Sequence, residues 1–158
     1  MLKKIVGALI AIALLIQLVP VEHSNPPEMA PLQVSDETAQ ILNRACYDCH
    51  SNKTKWPWYS RVAPVSWWVT HHVDEGREHL NFSNWGLSSP KDQAEYAEEI
   101  VEEVEEGKMP MSSYVVGHPE AALSETDIAT LRAWAGQFEG SEEKGKRHGR
   151  RARDVDDD

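Results

Sequence analysis

Residues 46–50 read Cys46-Tyr47-Asp48-Cys49-His50, which is a C-x-x-C-H motif. This spacing is the attachment signature of a c-type haem. Two thiols one helical turn apart can reach two vinyl groups on neighbouring pyrrole edges, and the next residue can turn its imidazole toward the iron. The motif therefore predicts one haem c, attached covalently through Cys46 and Cys49, with His50 as an axial ligand.

Three other interpretations of the motif have less support. A thioredoxin-like C-x-x-C pair is expected in a βαβ context, and the sequence contains no convincing alternating strand pattern. A zinc site needs a second Cys or His pair at finger-like spacing, for which His71 and His72 are a poor substitute. A short-range disulfide does not require His50. Cys46 and Cys49 are the only two cysteines, so the motif does not arise from a cysteine-rich background.

The sixth ligand of the iron is predicted to be Met109. It follows Gly107, which is expected to end a helix, and it precedes Pro110, which stiffens the loop. A stiff loop helps to hold a thioether, which is a weak ligand. Met111 precedes residues 112–113, a Ser-Ser pair that predicts a flexible polar segment. The alternatives for the sixth ligand are Met111, His71 and His72.

Four segments carry apolar residues at helical spacing, and each begins with a helix start signal. Ser35 precedes an acidic first turn, and Pro64 can begin the second helix. Ser89 and Pro90 form a cap and first turn, and Ser124 with Asp127 resembles a capping box. We therefore expect an all-α domain. The predicted helices cover residues 35–46, 64–77, 89–107 and 124–138.

The first 21 residues predict an uncleaved signal anchor. Lys3 and Lys4 precede an apolar run, and its end lacks the small residues of a cleavage site. A cleaved signal and a buried soluble helix fit these features less well. The positive-inside rule predicts a single-pass segment in a bacterial inner membrane, with the remainder facing the periplasm. The other expected parts are a proline-rich linker at 22–34, the haem domain at 35–139 and a disordered charged tail at 140–158.

Charge composition bears on the class of partner. The chain of 158 residues has 26 acidic and 16 basic side chains and a net charge of −10. This balance argues against nucleic acid, because phosphate contacts need basic side chains. Residues 22–139 hold 20 of the acidic and 8 of the basic side chains. Redox partner proteins are therefore expected to present a basic docking face.

Aromatic residues are concentrated just after the motif. We expect this group to wall the haem pocket and exclude water, whereas Trp85 and Trp134 are expected in ordinary core packing. His79 and His118 are expected at the surface. The group consists of Trp56, Trp58, Tyr59, Trp67 and Trp68.

The sequence resembles the bacterial haem-binding domain family of small C-x-x-C-H proteins. The resemblance rests on the motif, on residues 56–59 (Trp-Pro-Trp-Tyr) and on residues 81–85 (Asn-Phe-Ser-Asn-Trp), and it covers roughly residues 20–138. More distantly, the chain resembles the monohaem class I cytochromes c. The resemblance implies a cytochrome-c-like fold with one covalent haem, in which segment 35–46 packs on segment 124–138.

Three functions are compatible with these features. A six-coordinate haem predicts a membrane-tethered electron carrier outside the cytoplasm. An exchangeable sixth ligand would instead predict a haem-based sensor, a ligand-binding module or a weak peroxidase, with His71 and His72 as acid-base groups. A haem with a mainly structural role would fit an assembly factor. No motif of another enzyme class is present.

Overall fold

The computed structural model describes residues 1–138, and these residues form helices and loops without a β-strand. The predicted tail at 140–158 lies outside the described residues. The predicted all-α class is therefore confirmed for the described part. The α-helices are α1 (Leu2–Leu15), α2 (Asp36–Ala45), α3 (Tyr47–His50), α4 (Val65–His79), α5 (Pro90–Glu105), α6 (Ser112–Gly117) and α7 (125–138). Short 3-10 turns occur at Ile16–Leu18, Trp58–Arg61, Trp85–Leu87 and Pro119–Ala121.

The predicted helix starts at Ser35 and Ser89 are confirmed by their capping hydrogen bonds. The Ser35 hydroxyl accepts a hydrogen bond from the backbone N–H of Thr38 at the start of α2. Ser89 and Asp92 form a reciprocal capping box at the start of α5. These bonds satisfy N–H groups that have no partner within the helix, and each cap typically contributes about 1 kcal/mol. Gly107 has a φ of 70° after α5, a left-handed conformation that suits glycine.

The core lies between α2, α5 and α7. Trp85 is at its centre, with its ring 5.7 Å from that of Trp134 and 6.1 Å from that of Phe82. Arg44 of α2 forms a 2.6 Å salt bridge with Asp127 of α7. The predicted packing of segment 35–46 on segment 124–138 is therefore confirmed, as is the core role of Trp85 and Trp134. The buried core residues are Leu32, Ile41, Leu42, Phe82, Trp85, Ala97, Val104, Leu131, Trp134 and Ala135.

The prediction of a flexible polar segment at residues 112–113 was wrong, because α6 begins at Ser112. Two contacts hold this short helix and its end. The Tyr114 hydroxyl donates a 2.8 Å hydrogen bond to the Asp48 carboxylate. His118, directly after α6, is hydrogen-bonded to the Tyr59 hydroxyl at 2.7 Å. A helix of six residues is too short to be stable alone, so these distant partners account for it.

The proline-rich segment 22–34 is extended and packs along the domain. The Leu32 N–H donates a 2.8 Å hydrogen bond to the carbonyl of Phe82, and the Ala30 N–H donates one of 3.1 Å to the carbonyl of Ser83. The Leu32 side chain belongs to the core. The segment therefore takes part in the fold in addition to connecting α1 to α2.

Arg77 of α4 fastens the beginning of the same segment. Its guanidinium donates hydrogen bonds to the carbonyl of Ser24 (3.0 Å) and to the side chain of Asn25 (3.0 Å). It also donates to the carbonyl of Ser51 (2.8 Å), directly after the C-x-x-C-H motif. One side chain thus joins α4, the motif and the extended segment.

Helix α1 contributes no buried residue. Its apolar side chains, including Leu9 and Leu14, are exposed on all sides. Within residues 1–138, none of the helices combines the length and apolar character required to traverse a bilayer.

Candidate functional site

The C-x-x-C-H motif forms a single helical turn directly after α2. Cys46 ends α2 and begins α3, and both cysteines are free thiols. Helix α4 lies so close to α3 that a Cβ atom at Gly76 would be 2.9 Å from the carbonyl oxygen of Cys49. The absence of a side chain at Gly76 therefore sets the distance between α4 and the motif.

The His50 imidazole is held by α4. Its Nδ1 lies 2.8 Å from the carbonyl oxygen of Gly76 and 3.2 Å from that of Leu80. Because both neighbours are acceptors, Nδ1 carries the proton and Nε2 keeps its lone pair. Burial lowers the pKa of His50 below its ordinary value. A neutral ring with a fixed Nδ1–H is the form in which histidine binds a metal.

Burial keeps the two thiols protonated. It raises the pKa of Cys46 to about 12 and that of Cys49 to about 11, with Asp48 raising the latter further. Thiol–disulfide exchange requires the thiolate, so this environment disfavours the thioredoxin-like interpretation. Within the described residues, no three His, Cys, Asp or Glu side chains converge as a metal-ligand group.

A cleft of about 470 Å³ brings the predicted site residues together. Cys46, Cys49, His50 and Met109 all line it. The volume falls in the range of roughly 300–1,000 Å³ that is typical of small-molecule and cofactor sites. The remaining lining residues include Ala45, Leu80, Phe82, Tyr96, Ile100, Val104, Pro110, Met111 and Tyr114, with Glu75, Glu99 and Glu103 as acidic members.

Both methionines of the Met-Pro-Met loop line the cleft. The Met109 N–H donates a 3.0 Å hydrogen bond to the carbonyl of Glu103, which ties the loop to α5. Met109 is 36% exposed, whereas Met111 is partly buried. The cleft therefore offers two thioether sulfurs in addition to the imidazole of His50, and Met109 stays the predicted ligand.

The histidines separate into two groups. His72 and His79 line the cleft. His79 is exposed, as expected, and lies at the rim of the cleft. His71 is not among the lining residues. It faces solvent and pairs with Glu75 at 3.3 Å. His118, which was expected at the surface, is partly buried through its contacts near α6.

The expectation that the aromatic group after the motif walls the pocket was wrong. None of Trp56, Trp58, Tyr59, Trp67 and Trp68 lines the cleft. Its aromatic residues are Phe82, Tyr96 and Tyr114. Tyr96 shares a face of α5 with Ile100, four residues on, a spacing that could have indicated its position. No local pattern indicates Tyr114, because its partner Asp48 is distant in the chain.

The residues of the cleft fit a haem. Two neutral thiols lie one turn apart, an oriented imidazole offers Nε2, and two thioethers complete a donor set that suits iron in a cytochrome. Leu80, Ile100 and Val104 supply apolar walls of the kind that a porphyrin face requires. Fold and site together define an all-helical haem-binding protein.

Comparison with known protein families agrees with this class. The sequence model of the haem-binding domain family matches residues 11–137 of the chain. The chain therefore belongs to the haem-binding domain family. No curated protein and no solved structure was found to match it.

Proposed function

We propose that this protein is an electron carrier that holds one c-type haem outside the cytoplasm. The observation that carries the proposal is the composition of one cleft. Cys46, Cys49 and His50 line it together with the sulfur-bearing residues Met109 and Met111. A haem in such a site supplies one-electron redox chemistry, and two protein ligands leave no position for a substrate.

Each side chain has a distinct part in this proposal. Cys46 and Cys49 would hold the haem through thioether bonds, and His50 would bind iron through Nε2 while its Nδ1 donates to the carbonyls of Gly76 and Leu80. Met109 would supply a thioether sulfur as the second protein ligand of the iron. The apolar walls of the cleft exclude water and would so lower the reorganisation energy of electron transfer.

The proposed location is a bacterial inner membrane, with segment 1–21 as a single-pass anchor and the haem domain facing the periplasm. Supporting this, α1 exposes apolar side chains on every face and buries none. Lys3 and Lys4 at its start fit the cytoplasmic side. Covalent haem attachment takes place outside the cytoplasm, which fits an exported domain.

The proposed partners are redox proteins with a basic docking face. Glu75, Glu99 and Glu103 lie at the cleft. Carboxylates around a redox centre attract a cationic surface and accelerate encounter. The excess of acidic residues gives no support for nucleic acid as a partner.

Haem staining on a denaturing gel tests the proposal. Thioether bonds survive unfolding, whereas axial ligation does not. Full-length protein produced with haem maturation is expected to stain, and the double variant Cys46→Ala with Cys49→Ala is expected to lose the band. Trp58→Phe, outside the cleft, is the control and should stain fully. An unstained wild-type band would overturn covalent attachment.

A second candidate function is a haem-based sensor, ligand-binding module or weak peroxidase with an exchangeable sixth ligand. The observation that favours it is the 36% exposure of Met109, together with the position of His72 in the cleft. Carbon monoxide separates the two candidates. A carrier whose iron keeps both protein ligands is expected to resist carbon monoxide in its reduced form, whereas rapid binding by the wild type would favour the second function.

A further inference from the structure

Four exposed apolar side chains lie close together in the chain, outside the cleft. Trp58 is 78% exposed, and Val62, Val65 and Trp68 are between 43% and 44% exposed. We call this group the aromatic surface. It has no part in the proposed haem site, because none of the four lines the cleft.

Local hydrogen bonds make the aromatic surface one unit. The Ser66 N–H donates a 2.9 Å bond to the carbonyl of Val62, which joins the loop to the first turn of α4. Val65 and Trp68 are three residues apart on α4 and therefore share a face. The 3-10 turn Trp58–Arg61 packs against the same helix.

The end of the apolar N-terminal segment is fastened at this surface. The Gln17 side chain donates a 3.1 Å hydrogen bond to the carbonyl of Ala63 and accepts one of 2.9 Å from the Ala63 N–H. Ala63 lies between Val62 and Val65. A paired bond of this kind fixes both the distance and the orientation of the two segments.

A second attachment follows a few residues later. The His23 ring is hydrogen-bonded to the carbonyl of Ser60 at 2.9 Å, and it packs edge-on against Trp56 at 4.5 Å. Gln17 and His23 thus hold the chain on both sides of the point where the apolar segment ends. The aromatic surface therefore lies beside the end of that segment.

The stretch of chain that contains the aromatic surface differs in charge from the stretch that follows it. Residues 49–73 contain Lys53, Lys55 and Arg61 and no acidic side chain, whereas residues 74–106 contain 11 acidic and 2 basic ones. An anionic bilayer attracts the first region and repels the second. Tryptophan is enriched where a protein meets the lipid headgroups.

We propose that the aromatic surface lies in the headgroup region of the bilayer, beside the anchor, with Arg61 directed to lipid phosphates. The proposal rests on the membrane anchoring proposed above. It adds that the haem domain itself contacts lipid through one defined face. The occupant is a bilayer because the surface continues directly from a segment that is apolar on all sides.

Photolabelling of the full-length haem protein tests this contact. The protein is reconstituted in phosphatidylcholine–phosphatidylglycerol vesicles that contain a phospholipid with a diazirine near its glycerol. Trypsin cuts after Lys55 and Arg61, so the two halves of the aromatic surface appear as peptides 56–61 and 62–77. Both peptides and α1 are expected to carry lipid adducts. Peptide 78–91 is the control. It contains Leu87, which is exposed but belongs to the 3-10 turn Trp85–Leu87 and not to the aromatic surface.

A double variant, Trp58→Ser with Trp68→Ser, is expected to reduce labelling of peptide 62–77 about threefold, because it removes the two side chains that favour the headgroup region. Leu87→Ser should leave it unchanged. An unaltered haem absorption spectrum in both variants reports that the domain is folded.

The outcomes that overturn the proposal are distinct. Adducts on α1 without adducts on peptides 56–61 and 62–77 would leave the anchor standing and disprove lipid contact by this surface, as expected if it binds a protein instead. Equal labelling of peptide 78–91 would also disprove a defined contact. Absence of adducts on α1 would overturn the anchoring itself.

Discussion

Gly76 is the residue on which the geometry of the motif depends most directly. A Cβ atom there would lie 2.9 Å from the Cys49 carbonyl oxygen, and backbone atoms cannot move aside as a flexible side chain can. The same glycine's carbonyl accepts the His50 Nδ1 proton. Space and orientation at the proposed iron ligand are therefore set by one position.

Gly76→Ala is expected to destabilise the protein by about 2 kcal/mol, since overpacking outweighs the gain in helix propensity. Thermal unfolding and the haem absorption spectrum are the measurements. Gly136→Ala is the matched control, because nothing lies within 4 Å of a Cβ at that helical position, and it should stabilise by up to ~1 kcal/mol. Equal effects of the two substitutions would contradict the close-packing argument.

Met109→Ala is expected to lower the reduction potential by on the order of 100 mV, a fraction of the ~0.8 V range that axial ligands cover. The reason is that a thioether favours ferrous iron. The reduced variant should also bind carbon monoxide. Met111→Ala, on the same loop and in the same cleft, is the control and should do neither. If only Met111→Ala has these effects, Met111 is the ligand.

The residues whose chemistry is local could be predicted from the sequence. Cys46, Cys49 and His50 form a motif by spacing alone, and they line one cleft together with Met109. Gly76 and Tyr114 could not be found in this way. Their roles depend on partners in the motif that are 27 and 66 residues away, at Cys49 and Asp48.

Helix α2 meets α7 through a charged contact at the edge of the core. Arg44 pairs with Asp127 at 2.6 Å and also donates to the carbonyls of Glu120 and Ala122. Hydrogen bonds from Arg44 and Ser124 lower the pKa of Asp127 from 3.8 to about 2. The fold therefore favours the charged carboxylate.

This contact predicts a pH dependence. Because the folded-state pKa of Asp127 is the lower one, its stabilisation is complete above about pH 4 and is lost as the pH falls toward 2. Asp127→Asn should reduce the free energy of unfolding by about 1 kcal/mol at pH 7. It should also make that free energy depend less on pH between about pH 2 and pH 4. Glu105→Gln removes the more exposed salt bridge with Arg132 and should reduce the free energy of unfolding by only a few tenths of a kcal/mol. Urea unfolding between pH 2 and 7 measures both, and an unchanged slope in Asp127→Asn would refute the assignment.

The helices that could be predicted are those with caps and an apolar stripe. Ser35 and Ser89 mark the starts of α2 and α5, and Gly107 follows α5 with the positive φ of a helix stop. Helix α6 has six residues and neither signal. It forms because the Tyr114 hydroxyl donates a hydrogen bond to Asp48, a contact that exists only in the folded chain.

The whole molecule is electrostatically uneven. The cleft is bordered by Glu75, Glu99 and Glu103, while residues 49–73, which contain the aromatic surface, include three basic side chains and no acidic one. An uneven field of this kind steers partners to one face. The sequence shows that residues 49–73 and 74–106 differ in charge, but only the folded arrangement of α4 and α5 brings Glu75, Glu99 and Glu103 to one cleft.

A small cation should therefore react faster than a small anion at the haem edge. Reduction by hexaammineruthenium is expected to slow about threefold or more between low salt and 0.2 M salt, and electron transfer to ferricyanide to accelerate. Glu99→Gln with Glu103→Gln should weaken both salt effects. Glu98→Gln with Glu102→Gln, on the same helix but not at the cleft, should change them less. Identical salt dependence for both reagents would count against an acidic docking face.

The extended segment 22–34 determines how far the domain can travel. Thirteen free residues would let an anchored domain sweep a radius of roughly 20 Å. Here Leu32 is in the core and Arg77 is hydrogen-bonded to Ser24 and Asn25. Segment 22–34 is therefore fixed to the domain and is not a flexible linker. A domain anchored in this way would stay at a fixed position beside its anchor and would not swing toward its partners. On the proposed anchoring, its redox partners would need to bring their own redox centres to within roughly one domain diameter of the bilayer.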